Sequence, residues 1–368
     1  MDVRPPESAW RTALRPWFLI LLTAPLLLSI VGVTVYRWQT HRQENARLSD
    51  TFAERQNRVL QHDARRVARA VTNLLALAAS DARLVSVLPP DGAGYARFFE
   101  ALRVAPPAGV APGESIFPLY NRLLIWRDSG RFQYFHAGDK AARISSVDGC
   151  TARDLCDRAT LELGKRASQG RAIVGKALRW YTPEKSPGAP GDGTLSVAYR
   201  FAGGVVLLGI DYRSFESIVR LPTFPYQERG NLLQDYEAGN YIYLLDADTD
   251  LLAHPKPWHL YGLDYATGEP RPPMKSDSDA GTHPLNFRAY ERGILRPYFD
   301  RLIQRTFQAA EVDIFEAANM SGLIRVVSVA PIYLDPAFFD QQGPFGYAGV
   351  GCALEHFREP QERPVPYY

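Results

Sequence analysis

The sequence predicts an α+β fold: an N-terminal transmembrane helix, a long stalk helix and two antiparallel-sheet units. Three observations carry this. Residues 17–36 form an uncharged apolar run, residues 38–84 contain neither Pro nor Gly and have helical periodicity, and two successive series of short apolar runs follow, broken by Gly and Asp turns.

"WFLILLTAPLLLSIVGVTVY", from Trp17 to Tyr36, is twenty residues without a charge. At about 1.5 Å per residue a helix of this length spans the roughly 30 Å hydrocarbon core. Trp10, Trp17, Tyr36 and Trp38 flank it, where amphipathic rings favour the interface. Pro25 can kink such a helix without preventing insertion. A cleaved signal peptide is the rival reading, but the run is longer than a usual signal core and no A-x-A site follows. Arg4, Arg11 and Arg15 precede the span and Arg37, Arg42 and Arg47 follow it, so charge sets no orientation. Size does: a short cytoplasmic tail (1–16) precedes the anchor (17–36), and the bulk of the chain is expected outside.

Leu48, Phe52, Val59, Val67, Val71, Leu74 and Leu77 fall at mostly three- and four-residue steps along 38–84. That stripe suits a stalk helix packing on its own domain or pairing with a copy in a homodimer, and the sequence leaves both open.

A first unit is expected over 85–222. "YNRLLIWRDSGRFQYFHAG" reads as a hairpin about Asp128-Ser129-Gly130 and 153–168 as a short helix. "GRAIVGKALRWYT" reads as a strand, "TLSVAYRFAGGVVLLGIDY" as a hairpin on Gly203-Gly204, and 212–221 as a closing helix. The theme restarts over 223–358. There "YIYLLDADTDLLAHP" makes a hairpin, 265–286 a polar excursion and 287–309 a helix. Strands follow in "AEVDIFEAA", "GLIRVVSVAPIYL" and "PFGYAGVGCALEHF". Residues 359–368 form a Pro-rich, loose tail.

A net charge of +2, from 42 basic and 40 acidic residues, argues against nucleic acid as a partner. The basic residues between Arg37 and Arg69 are interleaved with Glu44, Asp50, Glu54 and Asp63, as on a solvated helix face. There are three cysteines. Cys150 and Cys156 are close enough in sequence to pair in an exported loop, or are two unrelated thiols; Cys352 sits in an apolar strand pattern.

Several motifs reduce to plain structure. Asp246, Asp248 and Asp250 have the D-x-D-x-D spacing of a calcium loop, but Leu251 and Pro257 stand where its Gly and Glu belong. A hairpin turn is the better reading, because Asp bonds its own main chain in tight turns. His254 and His259 lie on a Pro-broken stretch that does not converge on a metal; a lone His closing a strand is expected. "GRAIVGKA" matches the phosphate loop at Gly170, Gly175 and Lys176, yet Ala177 replaces the Ser/Thr that holds magnesium, and Ile173-Val174 suits a strand. No G-x-S-x-G, H-E-x-x-H or C-x-x-C occurs. The expectation is therefore no enzyme, no cofactor, no metal and no catalytic residue.

One cluster points to binding. Arg179, Trp180 and Tyr181 end one strand, Tyr199 lies in the next and Asp211 closes the one after. On one concave sheet face, two rings, a guanidinium and a carboxylate would suit a small zwitterion or organic acid. Ordinary sheet packing with a surface ion pair is the plainer alternative.

Over roughly 40–358 the chain resembles the double Cache (PDC-type) extracellular sensor region of bacterial receptors. "YIYLLDADTDLLAHP" resembles that family's strand–turn–strand with a closing His-Pro, and "TLSVAYRFAGGVVLLGIDY" its paired strands ending in Asp. "IRVVSVAPIY" with "FGYAGVGCALEHF" is similar to the last strand pair of its membrane-proximal unit. The resemblance implies two stacked PAS-like (Cache) units, the first membrane-distal, behind the anchor and stalk. Arg179, Trp180, Tyr181, Tyr199 and Asp211 resemble the ligand set of its amino-acid-binding subset, where a residue usually separates the Arg from the Trp; here they are adjacent, and one residue reverses a strand side chain. The implied protein is a single-pass inner-membrane sensor with a periplasmic bulk. It would bind an amino acid, amine or organic acid and signal through a protein partner. An envelope assembly protein using the same scaffold for protein contact is the alternative.

Overall fold

The computed structural model describes residues 8–88, 92–104, 117–136, 158–178, 193–219, 241–254, 286, 309–313 and 324–353. Cys150, Cys156, the 265–285 excursion, the 287–308 helix expectation and the 359–368 tail lie outside them. Helix α1, Ser8–Val87, joins the expected anchor and stalk in one uninterrupted element that begins within the expected tail and continues past Pro25 and Gly32. Both sheets belong to one compact unit, Gln56–Phe357.

Within that unit α1 buries one face. Leu60, Ala64, Val67, Val71, Leu75, Ala78, Ala82 and Val85 recur every three or four residues and are all buried. This corrects the expected stripe: Val67 and Val71 belong to it, Val59 and Leu74 are half-buried, and Leu77 is exposed. Of the missed positions, Ala64, Ala78 and Ala82 are alanines, whose small side chains let a helix lie close against its neighbours; the others are Leu60, Leu75 and Val85. By length and composition Arg58–Val87 could cross a membrane, but its apolar face is taken up by this core. Helix α2, Gly92–Ala101, follows and adds Tyr95, Phe98 and Phe99, with Phe98 stacked on Tyr120 and Tyr95 tilted on Phe135.

Strands β1 (Arg103–Val104) and β2 (Phe117–Pro118) form a small ribbon. The first large sheet uses β3 (Tyr120–Arg127), β4 (Phe132–His136), β5 (Ala172–Leu178), β6 (Thr194–Phe201) and β7 (Gly204–Asp211), in the antiparallel order β4-β3-β7-β6-β5. The hairpins are those the turns predict: Gly130 takes φ +82° at the β3–β4 turn, a conformation that costs glycine little. Helix α3 (Arg158–Arg166) covers one face of the sheet, where Leu161 joins Leu124, Phe132, Tyr134, Ala198, Val205 and Leu207. Tyr120, on the other face, reaches α1 through Asp81. Helix α4 (Arg213–Val219) closes the unit.

The second sheet uses β8 (Tyr241–Asp246), β9 (Leu251–Ala253), β10 (Ala309–Asp313), β11 (Ile324–Tyr333) and β12 (Pro344–Ala353), in the antiparallel order β10-β11-β12-β8-β9. The α+β class and the two antiparallel sheets are as the sequence predicts.

Candidate functional site

The acidic turn opening at Asp246 is a hairpin turn. Asp246 Oδ1 accepts the backbone N–H of Asp248 at 2.9 Å and of Asp250 at 3.0 Å, and Thr249 takes φ +70° between them. Asn286 donates to Asp250 Oδ1 at 2.9 Å and to the Asp248 carbonyl at 3.0 Å. The carboxylates thus serve the backbone, and no metal-holding group of His, Cys, Asp and Glu occurs among the described residues. Burial, then the neighbouring Asp250 charge, push the Asp246 carboxyl up to about 6. His254 is buried at the end of β9, edge-on to Tyr241 at 4.8 Å. The phosphate-loop look-alike is the turn at Gly170 running into strand β5.

Of the expected ligand residues, Arg179, Trp180 and Tyr181 lie outside the described residues. Tyr199 and Asp211 are both buried, but the sheet does not bring them together. In the β6–β7 register Thr194 pairs with Asp211 and Tyr199 with Val206. Tyr199 stands five positions along β6 from Thr194, an odd step, so Asp211 lies on the α3 face and Tyr199 on the α1 face. Asp211 is also engaged: its Oδ1 accepts the Arg213 backbone N–H and Nε–H, each at 2.9 Å, and its Oδ2 accepts Nη2–H at 2.8 Å.

What the α3 face does hold is a buried polar end that the sequence reading missed. One cross-strand row runs His136, Arg122, Gly209, Ser196 over β4, β3, β7 and β6. Arg122 is 2% exposed and Ser196 1%. A register shift between Tyr120 and Arg122 inserts Asn121 into this end. Asn121 Oδ1 accepts the Thr194 hydroxyl at 3.0 Å, and its Nδ2 donates to the Gly193 carbonyl at 3.3 Å. A Cβ on Gly209 would stand 2.6 Å from Thr194 Cγ2 and 3.1 Å from Arg122 Cβ, so glycine lets these neighbours close over β7. The next row inward is apolar, with Tyr134, Leu124, Leu207 and Ala198. A guanidinium, a carboxylate, an imidazole, two hydroxyls and an amide therefore share one end of an otherwise hydrophobic face. In a setting of low dielectric, such groups fix the orientation of whatever they hold far more strongly than in water. The signal for it was "YNR" at the start of β3, two strongly polar residues opening an apolar strand.

No protein-family model and no curated protein matches this sequence. Three solved structures illustrate what the fold is similar to. The ligand-binding domain of the Campylobacter jejuni chemoreceptor Tlp3 with L-norvaline is 9% identical with a TM-score of 0.47, over 86% of this chain and 97% of that one. A domain of a sensory box/GGDEF family protein from Vibrio parahaemolyticus is 10% identical with a TM-score of 0.46, over 83% and 99%. The ligand-binding domain of Mlp24 with asparagine is 13% identical with a TM-score of 0.43, over 85% and 99%. At these values the likeness assigns neither ligand nor activity to this chain.

Proposed function

We propose that this protein is a membrane-anchored, extracytoplasmic sensory module of the double-Cache kind, binding a small amino acid, amine or organic acid and signalling through a partner protein. The observation that carries the reading is the buried polar end of the α3 face, where Arg122, Ser196, Thr194, Asn121 and Asp211 are held by strand register. Arg179, Trp180 and Tyr181, which follow β5 in sequence, are proposed to complete the ligand set. Anchoring is supported by α1. Val31, Val33, Val35, Tyr36 and Trp38 are 46–70% exposed on successive sides of the helix, with the Arg42 guanidinium 5.1 Å from the centre of the Trp38 ring. Apolar residues exposed all round, ending in aromatics and a cation, suit lipid and its headgroup boundary.

The test is a thermal-shift screen of the full chain in detergent against amino acids, amines and short carboxylates. A ligand at one hundred times its dissociation constant stabilises by about 2.7 kcal/mol, a shift of a few degrees. The reading expects a hit that is lost in Ser196→Ala and in Trp180→Ala. A flat screen across the panel removes the ligand-binding reading and favours the envelope-assembly role.

A further inference from the structure

Strand β5 is the edge of the first sheet, and edges expose a row of backbone donors and acceptors that invite pairing. Here that row is filled from the second half of the chain. The Ala172 N–H donates to the Phe338 carbonyl at 2.8 Å, and the Asp340 N–H donates to the Ala172 carbonyl at 2.9 Å, which forms a parallel bridge with Phe339. Two residues on, the Gln341 side chain stands in for a strand. Its Oε1 accepts the Val174 N–H at 2.6 Å, and its Nε2 donates to the Val174 carbonyl at 3.1 Å. Two further on, Lys176 pairs with Asp248 in the β8–β9 turn. Before the strand, Ser168 donates its N–H and hydroxyl to Asp340 Oδ2, both at 2.8 Å, and Arg171 donates to the Pro336 carbonyl. These bonds hold the Asp340 carboxyl below the usual carboxylate range.

The alternation matters. Residues 172 and 174 turn their backbone groups to the outer edge of the strand, and both are engaged by the 335–341 loop; Lys176, beyond the register shift that follows Val174, adds a side-chain ion pair to the 246–250 turn. The opposite edge of β5 pairs with β6, the strand that carries Thr194 and Ser196 of the polar end. We infer that β5 is a coupling strand: it fastens the polar face of the first sheet to the 335–341 loop and the 246–250 turn of the second, with Gln341 and Asp340 as the fastening side chains. A displacement of β6 and β5 must then either carry the second sheet with it or break these bonds. Bistability of this type, in a row of hydrogen bonds, is how small shifts in one packed unit reach another. The inference concerns the joint between sheets and stands whether or not the ligand reading does.

Denaturation and hydrogen exchange of the full chain in detergent test it. The wild-type chain should unfold in one transition, with β5 and β12 amides protected to the same degree. In the triple variant Gln341→Ala, Asp340→Ala, Lys176→Ala, the transition should split in two, and β5 amides should exchange at least about fivefold faster, the lower end of ordinary coupling energies. Asp128→Ala, which breaks the exposed Arg200–Asp128 pair on the same sheet, should leave a single transition and serves as the control. Two transitions in the wild type, or one transition and unchanged β5 exchange in the triple variant, would overturn the inference.

Discussion

Tyr120 Oη donates a 2.6 Å hydrogen bond to Asp81 Oδ2, joining β3 of the first sheet to α1 across thirty-nine residues of sequence. Burial raises both groups, and the bond from Tyr120 partly offsets the rise at Asp81 while adding to that at Tyr120. Because Asp81 titrates higher in the folded chain than in the unfolded one, the folded state holds more protons there, and stability falls as pH rises through that window.

Tyr120→Phe removes the donor and leaves a carboxylate half-buried. The expected cost is about 1–3 kcal/mol at pH 7.5, and less at pH 4, where a carboxyl of unfolded value about 3.9 is already about half protonated in the unfolded chain and more so in the folded one. Urea midpoints at the two pH values check this. An equal loss at both would mean that the ring hydroxyl, and not the charge beneath it, sets the cost.

Asp246 gives a second pH dependence with the same sign. Its folded-state value of about 6 lies above the unfolded one. The stability it contributes is fully present below about pH 4 and is lost as pH rises through about 6. Asp246→Asn keeps the Oδ1 that accepts from Asp248 and Asp250 but carries no charge. Stability at pH 7.5 should rise by on the order of 1–3 kcal/mol, and the decline between pH 4 and 6 should flatten. A variant less stable than wild type at pH 7.5 would show that the Lys176 and backbone interactions outweigh the buried charge.

Hairpins about Gly130, Gly203 and Asp246 were legible because turn residues punctuate apolar runs whose length suits a strand. The α1 core was half legible: periodicity located Val67 and Val71, but alanines at 64, 78 and 82 carry too little hydropathy to register, and larger Leu77 drew the stripe off its true face. The polar end was not legible, for a different reason. Arg122 and Asn121 look like surface positions of a strand until the register with β7 and the extra residue at 121 place them on the α3 face, away from α1. The same parity separates Tyr199 from Asp211. Hydropathy reads one strand at a time, whereas a face belongs to the sheet. The Gln341–Val174 pairing joins residues 167 apart, and local pattern has no access to it.

Gly175 marks where α3 meets β5. A Cβ there would stand 1.8 Å from Thr160 Oγ1 and 2.8 Å from its Cβ and Cγ2. Gly175→Ala should therefore push the helix off the strand and cost about 1–3 kcal/mol, as overpacking does. Adding Thr160→Ala removes two of the three clashing atoms and should restore part of the loss. Thermal midpoints of the single and double variants decide it. Two losses that simply add would mean that the two sites are independent and that α3 does not bear on β5 here.

Asp211 was expected as a ligand residue, and the structure gives it a local task that must be separated from that role. Its Oδ1 receives the N–H two residues on, an Asx turn that starts α4. Its pairing with the Arg213 side chain is more exposed, Arg213 being 42% exposed, and such pairs contribute little. Asp211→Asn keeps the turn acceptor and should change stability by no more than about 0.5 kcal/mol. Asp211→Ala leaves the N–H without its partner and should cost about 1–3 kcal/mol. If a screen hit stabilises wild type but not Asp211→Asn, the carboxylate charge serves the ligand, since the fold would not have noticed the change. If the hit survives in Asp211→Asn, Asp211 is a turn former and its charge takes no part in binding.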